Sequence, residues 1–291
     1  MDRSALRNFL ILTLVYSIVL LFIGRQLTFL PHIDLSVEKK VEAPDLRKGV
    51  LENILKKEPG SYSVYYKDLK TGTEFGIDED KVLTAASINK LPIVAYLYNQ
   101  ASNGKINPEE TVIIQKEDIQ DYGTGSIRYG GEGQSYSLKA LAKLSLEQSD
   151  NTAAHVLGVR LDTDSIQKYV DGFGFVSTNM INNTTTAAET GKLLEAIYTR
   201  KVANESLTRE LLDFMRDTDI EDRIPRDLPK NVIVYHKTGD GIGFIHDAGI
   251  VVPPAGGGDP FVLAVLTSDI KDEDGAKQTI GKIAAYLYKQ K

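Results

Sequence analysis

The sequence predicts a mixed α/β (α+β) fold in two lobes, and three observations carry that prediction. β-forming runs lie near both ends of the chain, "SYSVYYKDL" and "TEFGID" early, "NVIVYHK", "FIHDAGIVV" and "FVLAVLTS" late. Between about Lys105 and Asp217 helical periods dominate. Amphipathic helices flank the β-rich parts, one within "APDLRKGVLENILKKEPG" and one from about Glu273 to Gln290. The economical arrangement is one antiparallel sheet built from both chain ends and packed by the terminal helices, with the helical block as a second lobe. Clefts between lobes are common places for sites.

The first element is the run "NFLILTLVYSIVLLFIG", Asn8 to Gly24, uncharged throughout, preceded by Arg3 and Arg7 and closed by Arg25. A globular helix keeps a polar face, and this run has none. Its length lies between a short spanning helix and a long signal peptide. The following "RQLTFLPHIDLS" lacks a small-x-small cleavage pattern, which favours an uncleaved anchor over a secreted product. The two arginines ahead of the span predict a cytoplasmic amino terminus with the remainder outside the cell membrane. Residues 1–26 are therefore expected to form an amino-terminal membrane anchor or signal segment, 27–43 a linker and 44–291 the folded domain.

In that domain Leu46, Val50, Leu51, Ile54 and Leu55 share a helical face, with Pro44 near the start and Gly60 past the end. Two strands follow, joined through "KTG" at Lys70 to Gly72, a hairpin turn in which Lys70 is solvated. A helix then opens within "TAASINKLPI", placing Ser87 and Lys90 one turn apart; Pro92 is tolerated in its first turn.

Composition narrows the function. With 42% hydrophobic and 25% charged residues the 291-residue chain is an ordinary globular protein. A net charge of -6 and the lack of a basic stripe exclude a nucleic-acid binder. There are no cysteines, and the four histidines show no metal-ligand spacing, so neither a metal nor another cofactor is expected. Nothing calls for a second subunit, and a monomer is expected.

Three short motifs carry chemistry. S-x-x-K at Ser87 to Lys90 offers a hydroxyl nucleophile and, if the amine spends time neutral, its base. Burial and a second cation would lower the lysine pKa, and Lys237 is the candidate cation. S-D-N at Ser149 to Asn151 falls at a helix boundary, and a second K-T-G, at Lys237 to Gly239, ends a β-run before the glycine-rich "DGIG". Singly, each has a plain alternative: a helix cap with a solvated lysine, a capping cluster, a turn.

Their order on helix, helix boundary and strand edge resembles the serine β-lactamases and penicillin-binding proteins, class A β-lactamases above all. The resemblance covers roughly Asp45 to Lys291 and includes "YSVYYKDLKTGTEFGIDEDKVLTAAS", "SDNTAAHVL" and "NTTTAAETGKLL". It implies a β-lactamase-like catalytic domain with Ser87, Lys90, Ser149 and Lys237 as catalytic residues and an oxyanion hole from the backbone N–H groups of Ser87 and Asp240. It further implies that Ser149 passes a proton to the leaving nitrogen, Asn151 holds the substrate amide, and Thr238, beside Gly239, binds a substrate carboxylate. His246 stands where the family often supplies an arginine; it is either an anion binder when protonated or a packed histidine. Tyr122 either lines the substrate edge or is a packed surface tyrosine.

The pattern also departs from the family. No glutamate occurs between Glu147 and Glu189, so the loop glutamate that activates the deacylating water is missing, and Glu189, three after Thr186, reads as a capping-box partner. Asp240 replaces a small residue and disfavours anions nearby. The expectation is a serine hydrolase that forms an acyl-enzyme through Ser87 with a β-lactam or a peptidoglycan-like amide and deacylates weakly. The alternatives are a D,D-peptidase acting on cell-wall peptide and a non-catalytic binder of wall peptide or of a partner on the same fold.

Overall fold

In the computed structural model, which describes residues 3–26 and 45–290, the amino-terminal run forms helix α1 (Arg3–Gln26) within the unit Met1–Ala43. Phe9, Leu10, Leu12, Leu14 and Ile18 are exposed, and Thr13 and Ser17 donate to carbonyls a turn earlier (2.5 and 2.8 Å), satisfying their hydroxyls within the helix. Among the described residues no helix is long and apolar enough to cross a membrane; the side chains of 21–26 lie outside them. The linker expected at 27–43, and Pro44 with it, also lie outside.

The second unit, Pro44–Lys291, begins with α2 (Leu46–Leu55), capped by Asp45, whose carboxylate accepts from Arg47 N at 2.9 Å. Only Leu51 of the predicted apolar face is buried, while Leu46 and Val50 are exposed. Arg47 does part of the covering instead, its guanidinium 4.7 Å from the Tyr66 ring centre. The hairpin β1 (Ser61–Asp68) and β2 (Glu74–Ile77) turns through Gly72 at φ +74°, and Lys70 is exposed there beside Asp259 (3.0 Å).

Next come β3 (Leu83–Thr84), a 3-10 turn Ala86–Asn89, and α3 (Lys90–Ser102), apolar on most sides. The middle of the chain holds β4 (Thr111–Ile113), α4 (Ile127–Gly130), β5 (Ser135–Ser137), α5 (Leu138–Glu147), α6 (Asn151–Leu161), α7 (Thr163–Asp171), β6 (Thr184–Thr185), α8 (Ala187–Tyr198) and α9 (Glu205–Asp213). It is mainly helical, as predicted, with two short ribbons, β3 with β6 and β4 with β5, that hold loops rather than build a core. The chain ends in β7 (Ile233–Gly241), β8 (Phe244–Val252), β9 (Phe261–Ser268) and α10 (Glu273–Lys289).

The five long strands make one antiparallel sheet ordered β2-β1-β9-β8-β7, built from both chain ends. In β9 the side chains alternate between two cores: Phe261, Leu263 and Val265 pack toward α2 and α10, Val262, Ala264 and Leu266 toward α8 and the helical lobe. Because both faces are covered, the strand reads as an unbroken apolar run. Gly191 lets α8 lie directly on the sheet, since a Cβ there would stand 2.2 Å from the Tyr65 ring. Strand β7 is left as an edge, and the site forms where that edge meets the turn before α3.

Candidate active site

Ser87 and Lys90 do not share an α-helical turn. Ser87 lies in the 3-10 turn and Lys90 starts α3, a spacing at which residues three apart eclipse. The turn is entered through Ala86 at φ +49°, the left-handed region, which costs on the order of 1 kcal/mol for a residue with a Cβ and is typical of functional sites. Ser87 and Lys90 both line a cleft of about 680 Å³. Lys90 is buried; its Nζ donates to Ser149 O (2.5 Å) and Asn151 Oδ1 (2.7 Å) and lies 3.2 Å from Ser149 Oγ.

The S-D-N tripeptide forms the turn between α5 and α6, with Ser149 also left-handed, at φ +55°. Asp150 caps α6 by accepting from Ala153 N (2.9 Å), and its second oxygen accepts from Ile127 N (3.0 Å). Asp150 is thus a helix cap, and capping is what aims its neighbours. Thr124 Oγ1 donates to Ser149 O (2.9 Å) and Asn151 Nδ2 to Tyr122 O (3.0 Å), so residues 122–127 clasp the turn. Gly123 and Gly125 permit this approach: both have positive φ, and a Cβ would stand 2.4 Å from Asn151 Nδ2 and 2.2 Å from Asp150 Cγ respectively.

The edge strand β7 brings Lys237 to the same place, where its Nζ donates to Ser149 Oγ (3.0 Å) and to Thr238 O (3.0 Å). Gly239 lets the strand press on the 3-10 turn, since a Cβ there would stand 3.1 Å from Ala85 O and 3.2 Å from Ile88 Cγ1. Asp240 pairs with Ile245 on β8, and Ile245 directs both its N–H and its carbonyl at Thr267 Oγ1 of β9 (2.8 Å each). The Asp240 N–H therefore points away from β8, off the free edge. The same parity sends His236 N outward to Met215 O (2.8 Å). The Ser87 N–H lies in the first turn of its segment, where donors have no acceptor within the helix.

Electrostatics follow from burial. Lys90 is pulled down to about 6 by burial and then by the charge of Lys237, against some support from Asp150. Lys237 is pulled down to about 7 by burial, with the carboxylates of Asp247 and Asp240 opposing and Arg223 reinforcing. A neutral Lys90 amine that gives its two N–H groups to Ser149 O and Asn151 Oδ1 keeps a lone pair. Ser149 Oγ, between two amines, is placed to relay a proton.

The structure narrows one sequence expectation and corrects another. His246 is buried, with Nδ1 accepting from Thr267 N (3.0 Å) and Nε2 facing Thr84 O (2.8 Å). Burial pulls it down to about 4, and both nitrogens are engaged, so of the two alternatives the structure favours the packed histidine, which ties β8 to β3. Glu189 forms no capping box. Thr186 Oγ1 accepts its N–H (3.1 Å), but the carboxylate turns away to accept from Val176 N (2.8 Å), Ser177 N (3.1 Å) and Thr178 N (2.6 Å), fixing the loop before β6. No glutamate is among the described residues lining the cleft. Tyr122 does line it, exposed at the rim, while Thr238 and Gly239 are carried on the β7 edge.

Sequence reasoning missed a buried charged cluster behind β7. His236 stands between Asp247 Oδ1 (2.9 Å, from Nδ1) and Glu221 Oε1 (3.1 Å, from Nε2). Burial opposes its charge, but the two carboxylates outweigh burial and push it up to about 9. Asp247 Oδ2 also accepts from Ile224 N (2.9 Å), so the cluster holds the segment carrying Arg223 against the sheet. Arg223, buried, donates to His246 O (2.7 Å) and pairs with Asp240. His155, one turn beyond Asn151, lines the cleft and was not singled out either. Lone charges in a loop carry no spacing signal. Among the described residues no cluster could hold a metal ion.

Comparison with known proteins agrees with this architecture. The sequence matches the model of the Beta-lactamase enzyme family over residues 47–290. It is 24% identical over 257 residues to β-lactamase VEB-1 of Pseudomonas aeruginosa, covering 79% of this chain and 85% of that protein. A β-lactamase from Chitinophaga pinensis superposes with a TM-score of 0.78 at 22% identity, covering 84% of this chain and 99% of its own. A variant of PBP-A, solved as an acyl-enzyme complex with penicillin G, superposes at 0.76 and 25% identity over 84% and 95% of the two chains. A family match over nearly the whole folded unit, joined to the fold it shares with its structural neighbours, makes this chain a member of the β-lactamase enzyme family, within the serine β-lactamase and penicillin-binding protein superfamily.

Proposed function

We propose that the protein is an acyl-enzyme-forming serine hydrolase whose nucleophile is Ser87 and whose substrates are β-lactams or peptidoglycan-like amides. The observation that carries this reading is the joining of Lys90, Ser149 and Lys237 in one hydrogen-bonded network on the wall of the cleft that Ser87 also lines. Neutral Lys90 removes the Ser87 proton as the oxygen attacks the carbonyl carbon. The developing oxyanion is received by the backbone N–H groups of Ser87 and Asp240. Ser149 then hands a proton, resupplied through the lysine pair, to the leaving nitrogen. Asn151 orients the substrate amide, sharing or replacing its bond to Tyr122, and Thr238 faces the substrate from the strand edge.

With no glutamate among the described residues lining the cleft, release of the acyl group is slow. The 24-residue helix α1, with its exposed apolar side chains and flanking arginines, supports tethering of the domain at the outer face of the cell membrane. The test is labelling of the full-length protein with a fluorescent penicillin. A covalent band is expected in the native protein and none in Ser87→Ala. Equal labelling of both, or of neither, removes this reading.

A further inference from the structure

Asp240 is the only carboxylate among the described residues lining the cleft. It has two relations at once: its N–H leaves the free edge of β7 toward the Ser87 turn, and its side chain, half exposed, pairs with Arg223. Arg223 has little freedom. Its side chain is 2% exposed, Nη1 donates to His246 O (2.7 Å), Nε stands 3.3 Å from Asp222 Oδ1, and the next residue is pinned through Ile224 N to Asp247 (2.9 Å). The Arg223 guanidinium, paired with Asp240, is thus already neutralised by the protein's own acid. Thr238 and Asp240, two apart on β7, share a face. A carboxylate carried beside the reacting carbonyl therefore faces the Asp240 charge on the wall of the cleft, and like charges brought together in a partly buried cleft repel strongly.

We propose that Asp240 is a specificity-determining residue that favours acyl donors with no free carboxylate beside the scissile amide, such as internal or amidated peptide amides, over anionic penicillin-like ones. This rests on the acyl-serine reading, and discrimination acts on rate, so penicillins still label, slowly.

The test compares penicillin G with its methyl ester, which differ by one charge on the same ring. Second-order acylation rates for the full-length protein are followed by intact mass. In Asp240→Asn and Asp240→Ser the acid-to-ester rate ratio should rise about tenfold over the native ratio. The same two compounds are titrated calorimetrically into Ser87→Ala and Ser87→Ala/Asp240→Asn, where no acyl bond forms, and the affinity ratio should move in the same direction. Acylation with neither ratio moved overturns the role of Asp240 and leaves the serine reading standing. Absent acylation with the affinity ratio still moved removes the serine chemistry and leaves the selectivity. No shift in either ratio overturns the inference.

Discussion

Lys90 and Lys237 meet at a single hydroxyl, Ser149 Oγ, 3.2 Å from one amine and 3.0 Å from the other. Two ammonium groups so placed in a buried site repel, and the proton leaves the more easily discharged one, Lys90, at about 6. Burial lowers Lys90 most and Lys237, across the same oxygen, lowers it further, so in the proposed reaction Lys90 is the base. The first consequence concerns Lys90 itself: replacement by Met removes the base, and replacement by Arg, which stays protonated, does not restore it. Both variants should acylate about 100-fold or more slowly than the native protein, measured by stopped-flow fluorescence with a labelled penicillin.

The pH dependence of acylation should have a sign set by the same pair. The reactive form has Lys90 neutral, so the rate climbs as pH rises through about 6 and levels above it. In Lys237→Met the repelling charge is gone and the midpoint moves to higher pH, whatever the amplitude; in Lys237→Arg it stays acid. Midpoints that do not separate in the two variants would exclude this coupling.

Stability should respond to His236. Its folded value, about 9, lies above the ordinary 6.5, so its contribution is complete below pH 6.5 and is lost as pH rises through 9. The buried lysines act oppositely, since their lowered values favour the fold as pH rises. Comparison with His236→Gln cancels the lysine contribution. The difference in unfolding free energy between native and variant, from urea titrations, should be on the order of 3 kcal/mol larger at pH 6 than at pH 10.

Gly239→Ala tests the contact between strand and turn. A Cβ 3.1 Å from Ala85 O forces a few tenths of an ångström of separation between β7 and the Ser87 turn. The expected result is a loss of about 1–2 kcal/mol in stability and about tenfold in acylation rate, read by thermal melting and by adduct formation.

Glu189→Gln should behave differently, because Glu189 holds the 176–178 loop and does not line the cleft. It should cost about 1–3 kcal/mol of stability while leaving acylation within about threefold of native. A loss of acylation as large as that of the Lys90 variants would place Glu189 in the chemistry.

Much of this architecture was legible in the sequence because it rests on local pattern. The apolar run of β9, the helical periods of α5 and α8 and the hairpin glycine Gly72 each report a backbone state directly. Ser87, Lys90, Ser149 and Lys237 were legible only as an ordered set. The rest depended on contacts distant in sequence. Ala86 and Ser149 carry no mark of their left-handed backbone, since nothing but the surrounding structure holds them there. His246 on the strand reads equally as an anion binder or a packed histidine until Thr84 and Thr267 occupy its nitrogens. Glu189 sits at capping-box spacing, yet the Val176 to Thr178 turn offers three N–H donors and draws the carboxylate away. Gly123 and Gly125 admit the Asn151 and Asp150 side chains, a contact that no local pattern in the sequence announces.

The most direct test of the central claim is peptide mapping by mass spectrometry after the full-length protein is incubated with penicillin G and sampled over time. One penicilloyl group on the peptide containing Ser87, persisting for many minutes and absent from Lys90→Met at early times, is the predicted result. A protein that stays unmodified, or carries the group on another residue while Ser87 stays free, would contradict it.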